Sequence, residues 1–191
     1  MKSLRKLLAV LAVLLSGMAG AQEDVVYTSL KDVKNPNDVY QLKLNYQRLR
    51  KIPPQVFTFT NLKVLDLSKN FIDTLPPELA QLTNLEVLNL NRNKLRFVPE
   101  YLGQLTSLEV LNLSRNPILD LPESLGQLTN LKELILFMTG IISFPPTCFT
   151  LNYSLQVIDL RACPLTYDNQ QAIEELLPTP RKRWDYVCNC K

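Results

Sequence analysis

The residues Leu85-Glu-Val-Leu88-Asn-Leu90-Asn-Arg-Asn93-Lys-Leu95 return, with substitutions, every 23 positions, and no other feature of this chain restricts its fold so narrowly. Copies begin at Val39, Leu62, Leu85, Leu108, Leu131 and Leu155, the last step carrying one inserted residue. Each copy opens with apolar residues at its first, fourth and sixth places and has an apolar residue at its eleventh, with Asn at the ninth in three of them. Residues two apart on a strand share a side, so Leu65 and Leu67 point one way while Val64, Asp66 and Ser68 point the other. A unit this short cannot bury its own apolar side. The copies must therefore stack, strand beside parallel strand, with the leucines inward.

The second half of each copy, Leu75-Pro76, Leu79 and Leu82-Thr83-Asn84 in the second, completes a pattern similar to the leucine-rich repeat. This variant resembles the repeats of Ras-binding scaffold proteins and plant disease-resistance proteins, and the chain resembles secreted bacterial leucine-rich-repeat proteins. The resemblance implies an α/β solenoid, a horseshoe arc of six repeats over residues 39–166 with a parallel concave sheet. It implies a shape shared by the family and no shared chemistry.

Flanking segments read as caps, which a solenoid needs because its terminal repeats would otherwise expose their core edges. In the N-terminal cap, residues 22–38, Tyr27 to Asn35 reads as a short helix with Ser29 and Asp32 at capping-box spacing, stopped by Asn35-Pro36. In the C-terminal cap, residues 167–191, Asp168 is positioned to start a helix with Ile173, Leu176 and Leu177 on one side, ending at Pro178. The basic run Arg181-Lys182-Arg183 beside Trp184 and Tyr186 reads as a solvated loop, since three charges are few for a nucleic-acid contact.

Within the repeats, Asn70, Asn93 and Asn116 are expected to satisfy backbone groups that the bend after the strand leaves unpaired, and Gln47, Thr139 and Cys163 replace them in the other copies. Pro53, Pro76, Pro99, Pro122 and Pro145 favour extended backbone just before them, and the return path has room for a single helical turn.

Ahead of the repeats, Lys2, Arg5 and Lys6 precede the apolar run Leu7 to Leu15, and Ala19-Gly20-Ala21 supplies small residues for cleavage. Residues 1–21 thus read as a signal peptide, too short to span a bilayer, with an uncleaved anchor as the alternative. Removing its three cations leaves 18 Lys and Arg against 18 Asp and Glu, so the mature chain carries no general attraction for nucleic acid or anionic membrane. Export to the periplasm or the cell exterior permits disulfides. Cys148 and Cys163 stand where small buried side chains are expected, and Cys188 or Cys190 is a candidate to bridge to Cys163. With no Cys-x-x-Cys pair and no His, a zinc site has no ligand set, and no cofactor is implied.

Catalysis finds little support: no His, no glycine-rich phosphate loop among five Gly, no Ser or Cys beside an evident base. The outward places of the strands are left to carry function. The fifth place reads Lys43, Asp66, Asn89, Asn112, Ile135 and Asp159; the seventh Asn45, Ser68, Asn91, Ser114, Phe137 and Arg161; the eighth Tyr46, Lys69, Arg92, Arg115, Met138 and Ala162. Lys69, Arg92 and Arg115 form a like-charged column that a carboxylate-bearing or phosphorylated partner would relieve, unless each is separately solvated. Ile135, Phe137 and Met138 are apolar where neighbouring repeats are polar, and two readings stand: a protein interface, or a patch covered by the segment around Trp184.

Lys69, Arg92, Arg115, Asn89, Asn112, Ile135, Phe137 and Met138 are accordingly the expected partner-binding residues of a monomeric, non-catalytic scaffold for a protein or peptide. A carbohydrate or cell-wall binder is the alternative. The strand face offers roughly 400 Å², about half of what one partner buries in a standard interface, so adjoining loops or a short peptide ligand are expected to enter.

Overall fold

The computed structural model describes residues 23–176 and 181–183. The proposed signal peptide, Leu177, Pro178, Trp184, Cys188 and Cys190 lie outside the described residues. Eight strands form one parallel sheet in chain order: β1 Val26–Tyr27, β2 Gln41–Lys43, β3 Val64–Asp66, β4 Val87–Asn89, β5 Val110–Asn112, β6 Glu133–Ile135, β7 Val157–Asp159 and β8 Arg181–Arg183. Register follows the repeat. Leu65 is opposite Leu88, Leu88 opposite Leu111 and Leu111 opposite Leu134, so a step of 23 residues returns each position to the same height.

The leucines behave as their spacing requires. Leu62, Leu65, Leu67, Leu85, Leu88, Leu90, Leu108, Leu111 and Leu113 are fully buried in one continuous core. After the strand the chain bends, and the ninth-place Asn closes the bend across repeats. Asn93 Nδ2 donates to Leu67 O and Leu90 O, both at 3.0 Å, and its Oδ1 accepts from Ile72 N at 3.0 Å. Asn70 and Asn116 do the same one repeat away on either side. In the fifth copy Thr139 Oγ1 donates to Leu136 O and meets the Cys163 thiol of the next repeat, which also reaches Leu136 O. A second ladder lies on the outer side, where the Asn that ends a repeat donates to a carbonyl 24 residues earlier: Asn61 to Asn37 O, Asn84 to Thr60 O and Asn130 to Thr106 O, each 2.9 Å.

The return paths are 3-10 turns following the prolines, such as Pro77–Gln81, Glu100–Gln104 and Glu123–Gln127. They pack so closely that a Cβ built on Gly103 would sit 2.3 Å from Ser124 O.

The caps differ from expectation. No helix runs from Tyr27 to Asn35. Val26 and Tyr27 form the edge strand β1, Leu30–Asp32 is a single 3-10 turn, and Asn35 begins a second one, Pro36–Asp38, by accepting from Asn37 N. Ser29 accepts from Lys31 N, and no reciprocal bond from Asp32 makes a capping box. Asn35-Pro36 cannot continue a helix, and extending the sheet satisfies the edge of β2 directly. Tyr27, Leu30 and Val33 nevertheless pack on the core, as a cap must. At the other end, helix α1 spans Tyr167–Leu176 and buries Ile173, but Thr166 caps it in place of Asp168, its Oγ1 accepting from Asn169 N. Arg181–Arg183 is the strand β8 paired with β7, where a loop was expected. Charged side chains are well suited to an outer strand.

Candidate strand-face site

The outward residues of the sheet divide into columns with different duties. At the fifth place the Asp and Asn side chains turn back on their own strand ends. Asp66 Oδ1 accepts from Ser68 N at 2.8 Å, Asn89 Oδ1 from Asn91 N at 3.1 Å, and Asn112 Oδ1 from Ser114 N at 3.1 Å. Asp159 does so for Arg161 and also pairs with its guanidinium, Nη2 to Oδ2 at 2.6 Å. Asn89 and Asn112 therefore have a structural role beside any binding role, and Asn112 is buried. The Asp and Asn repeated at that place were the available signal, since these side chains bond backbone two residues on.

The eighth place carries an unexpected conformation. Tyr46, Lys69, Arg92, Arg115, Met138 and Ala162 all have φ between 55° and 59°, the left-handed region, without a glycine or asparagine among them. The first five still continue the ladder, among them Lys69 N donating to Asn91 O at 2.7 Å, Arg92 N to Ser114 O at 2.9 Å and Arg115 N to Phe137 O at 2.8 Å. These side chains thus leave a bend held on both sides by backbone bonds, and the column is rigid at its base.

The expected partner-binding residues do share this face. Lys69 lies over the Tyr46 ring, 4.2 Å from its centroid, and donates to the Tyr46 hydroxyl. Phe137 has two guanidiniums against it, Arg115 at 5.0 Å and Arg161 at 5.3 Å from its centroid. Contacts of this kind orient a cation without neutralising it. Ile135 and Phe137 are half-buried and Met138 is exposed. Arg92, at the middle of the column, is exposed and has no ion pair among the described residues.

Between these columns lies a depression of about 240 Å³, lined in part by Lys43, Asn45, Asp66, Lys69, Asn89 and Asn91. Asn91, one of these lining residues, carries in its Oδ1 the one buried side-chain polar atom among the described residues without a hydrogen-bond partner. Leaving such an acceptor unmatched costs about 1 to 3 kcal/mol.

Sequence reasoning missed the neighbouring edge. Phe97, Leu119, Ile142 and Tyr167, at the twelfth or thirteenth place of four successive repeats, are each more than half exposed. In the sequence Phe97, Leu119 and Ile142 stand beside the buried Val98, Ile118 and Ile141 and merge with the core pattern, so no single repeat announces the strip.

The family model described as "leucine-rich repeat region" matches residues 2–145. The chain belongs to the leucine-rich-repeat family. Among solved structures it is similar to a leucine-rich-repeat protein of Leptospira interrogans, with 29% identity and a TM-score of 0.69 over 86% of this chain and 49% of that one. An internalin of Listeria monocytogenes matches at 23% identity and a TM-score of 0.65, over 78% of this chain and 44% of that one, and shows the fold alone. The ectodomain of the Arabidopsis thaliana membrane receptor kinase GASSHO1/SCHENGEN3, in complex with Casparian strip integrity factor 2, matches at 27% identity and a TM-score of 0.61. It is covered over 81% of this chain and 19% of that one. This leucine-rich-repeat chain thus spans about half or less of the solved chains it matches. Comparison with curated proteins finds no significant match.

No group of His, Cys, Asp and Glu among the described residues is arranged to hold a metal ion. No described helix is long and apolar enough to cross a membrane. Cys148 is fully buried, and burial, reinforced by Glu123, pushes its thiol up to about 12, so it stays protonated and inert. Cys148 is a free thiol; the bridge considered for Cys163 involves residues outside the described ones.

Proposed function

We propose that this leucine-rich-repeat chain is an exported, monomeric, non-catalytic scaffold that recognises a protein or peptide through its concave strand face and the adjoining loops. The observation that carries the reading is the strand-face depression with its unmatched acceptor, Asn91 Oδ1. A turn of the partly exposed Asn91 side chain would present that atom to a peptide N–H, and a polypeptide offers such a donor at almost every residue. The similar plant ectodomain was solved with a partner described as an integrity factor, which supports the same use of the scaffold here.

The adjoining edge supplies the missing area. Phe97, Leu119, Ile142 and Tyr167 extend the accessible surface beyond the strands, and large exposed apolar side chains of this kind anchor interfaces. On the strand face a glycan reading would need aromatic rings open for stacking, whereas Phe137 there already carries two guanidiniums and Tyr46 carries Lys69.

Site-specific crosslinking tests the proposal. A photoreactive residue at Asn45, exposed beside the depression, is expected to yield an adduct with one protein of defined mass from the secreted fraction. The same residue at Thr83, exposed on the outer side, is expected to yield none. Adducts from Thr83 alone, or binding to a glycan array without a protein adduct, would overturn it.

A further inference from the structure

The two edges of the strand face handle charge in opposite ways. At the second place the charged residues find partners of opposite sign: Lys63 pairs with Glu86 at 3.7 Å and with Glu23, ahead of the repeats, at 3.4 Å, and Lys132 pairs with Glu109 at 2.7 Å. That edge is complete in itself. At the eighth place, Lys69, Arg92 and Arg115 follow one another on adjacent repeats with no ion pair among the described residues. The carboxylates nearest along the face are already occupied, Asp66 by Ser68 N and Asp159 by Arg161.

From this asymmetry we infer that the eighth-place column is a docking strip for an extended acidic segment of a polypeptide, apolar at both ends. The inference deepens the scaffold reading and rests on it. Three cations about 4.8 Å apart spread their charge over roughly 10 Å, which matches single carboxylates spaced along a chain better than one concentrated dianion. Both ends of the column are apolar or aromatic: Tyr46 on one side, Met138 with Phe137 on the other. Four gaps of about 4.8 Å make roughly 19 Å, the length of about six extended residues.

Such a segment places alternate side chains on one side. A seven-residue stretch with apolar first and last residues and acidic third and fifth residues sets two carboxylates over the cations. The cations are preorganised for it. Left-handed backbones anchored by ladder bonds of 2.7 to 2.9 Å fix where Lys69, Arg92 and Arg115 leave the sheet, and the Tyr46 and Phe137 rings hold the outer two. Little side-chain freedom remains to be lost on binding there.

The test uses the full chain and a fluorescein-labelled seven-residue peptide, Leu at both ends, Glu at the third and fifth positions and Ser elsewhere, read by fluorescence anisotropy. The Glu peptide is expected to bind at least about tenfold more tightly than its Lys counterpart, and to weaken as ionic strength rises. Arg92→Glu, and to a lesser degree Arg92→Gln, should weaken it by about tenfold or more without lowering the melting temperature, because Arg92 is exposed. Equal binding of the Glu and Lys peptides, no binding of either, or an affinity unchanged by Arg92→Glu would overturn the inference. A protein adduct formed from Asn45 that survives Arg92→Glu would remove this inference and leave the scaffold reading standing.

Discussion

At the scale of single residues, the same amide or cation does different work depending on its place in the repeat. Asn93 holds three buried backbone groups at once: Asn93→Ala leaves Ile72 N without a partner and removes one of two donors from Leu67 O and from Leu90 O, which keep Asn70 and Asn116. We expect a loss of about 1 to 3 kcal/mol, measured by urea unfolding, the cost of one orphaned buried donor. Arg92 should behave in the opposite sense. Its φ of 57° suits Asn far better than Arg, so Arg92→Asn is expected to raise stability by up to about 1 kcal/mol in the same measurement. Phe137→Ser removes the ring contacted by Arg115 and Arg161 and should cost about 1 to 2 kcal/mol by thermal melting. A loss on that scale leaves the fold intact for binding assays. The duties of the core leucines and of Asn70, Asn93 and Asn116 were legible from spacing alone. The left-handed eighth place was not, because Lys and Arg carry no mark of that conformation and the bend imposing it comes from the neighbouring repeats.

At the scale of elements, the 3-10 turns are set close by glycine. Gly103 faces Ser124 O and Gly126 faces Thr147 O, each 2.3 Å from where a Cβ would be. Gly103→Ala must push the two turns apart, and a cost of about 1 to 3 kcal/mol is expected from the urea midpoint. Cys148 sits under the next turn with its thiol held neutral, so native protein should leave it unlabelled by iodoacetamide at pH 8, and unfolded protein should react fully, as peptide mass mapping will show. The caps show where reading by element falls short. Tyr27 to Asn35 has local helix signals, but the unpaired edge of β2 lies in another part of the chain, and joining it outweighs a short helix. Likewise Arg181–Arg183 has no strand-like alternation and pairs because β7 offers an edge.

At the scale of the whole molecule, the parallel sheet grows by one strand per repeat and never closes on itself. An open stack with regular spacing is a template to which another chain of the same kind might add, were its last strand apolar and bare. The outermost described strand is Arg181–Arg183, and Lys182 is tied back to Glu174 O at 3.1 Å. Among the described residues, the sheet thus runs from a two-residue strand, Val26–Tyr27, to a strand composed of three basic residues. Among the described residues, a strand so rich in like charge opposes fibre growth at the point where the architecture most invites it.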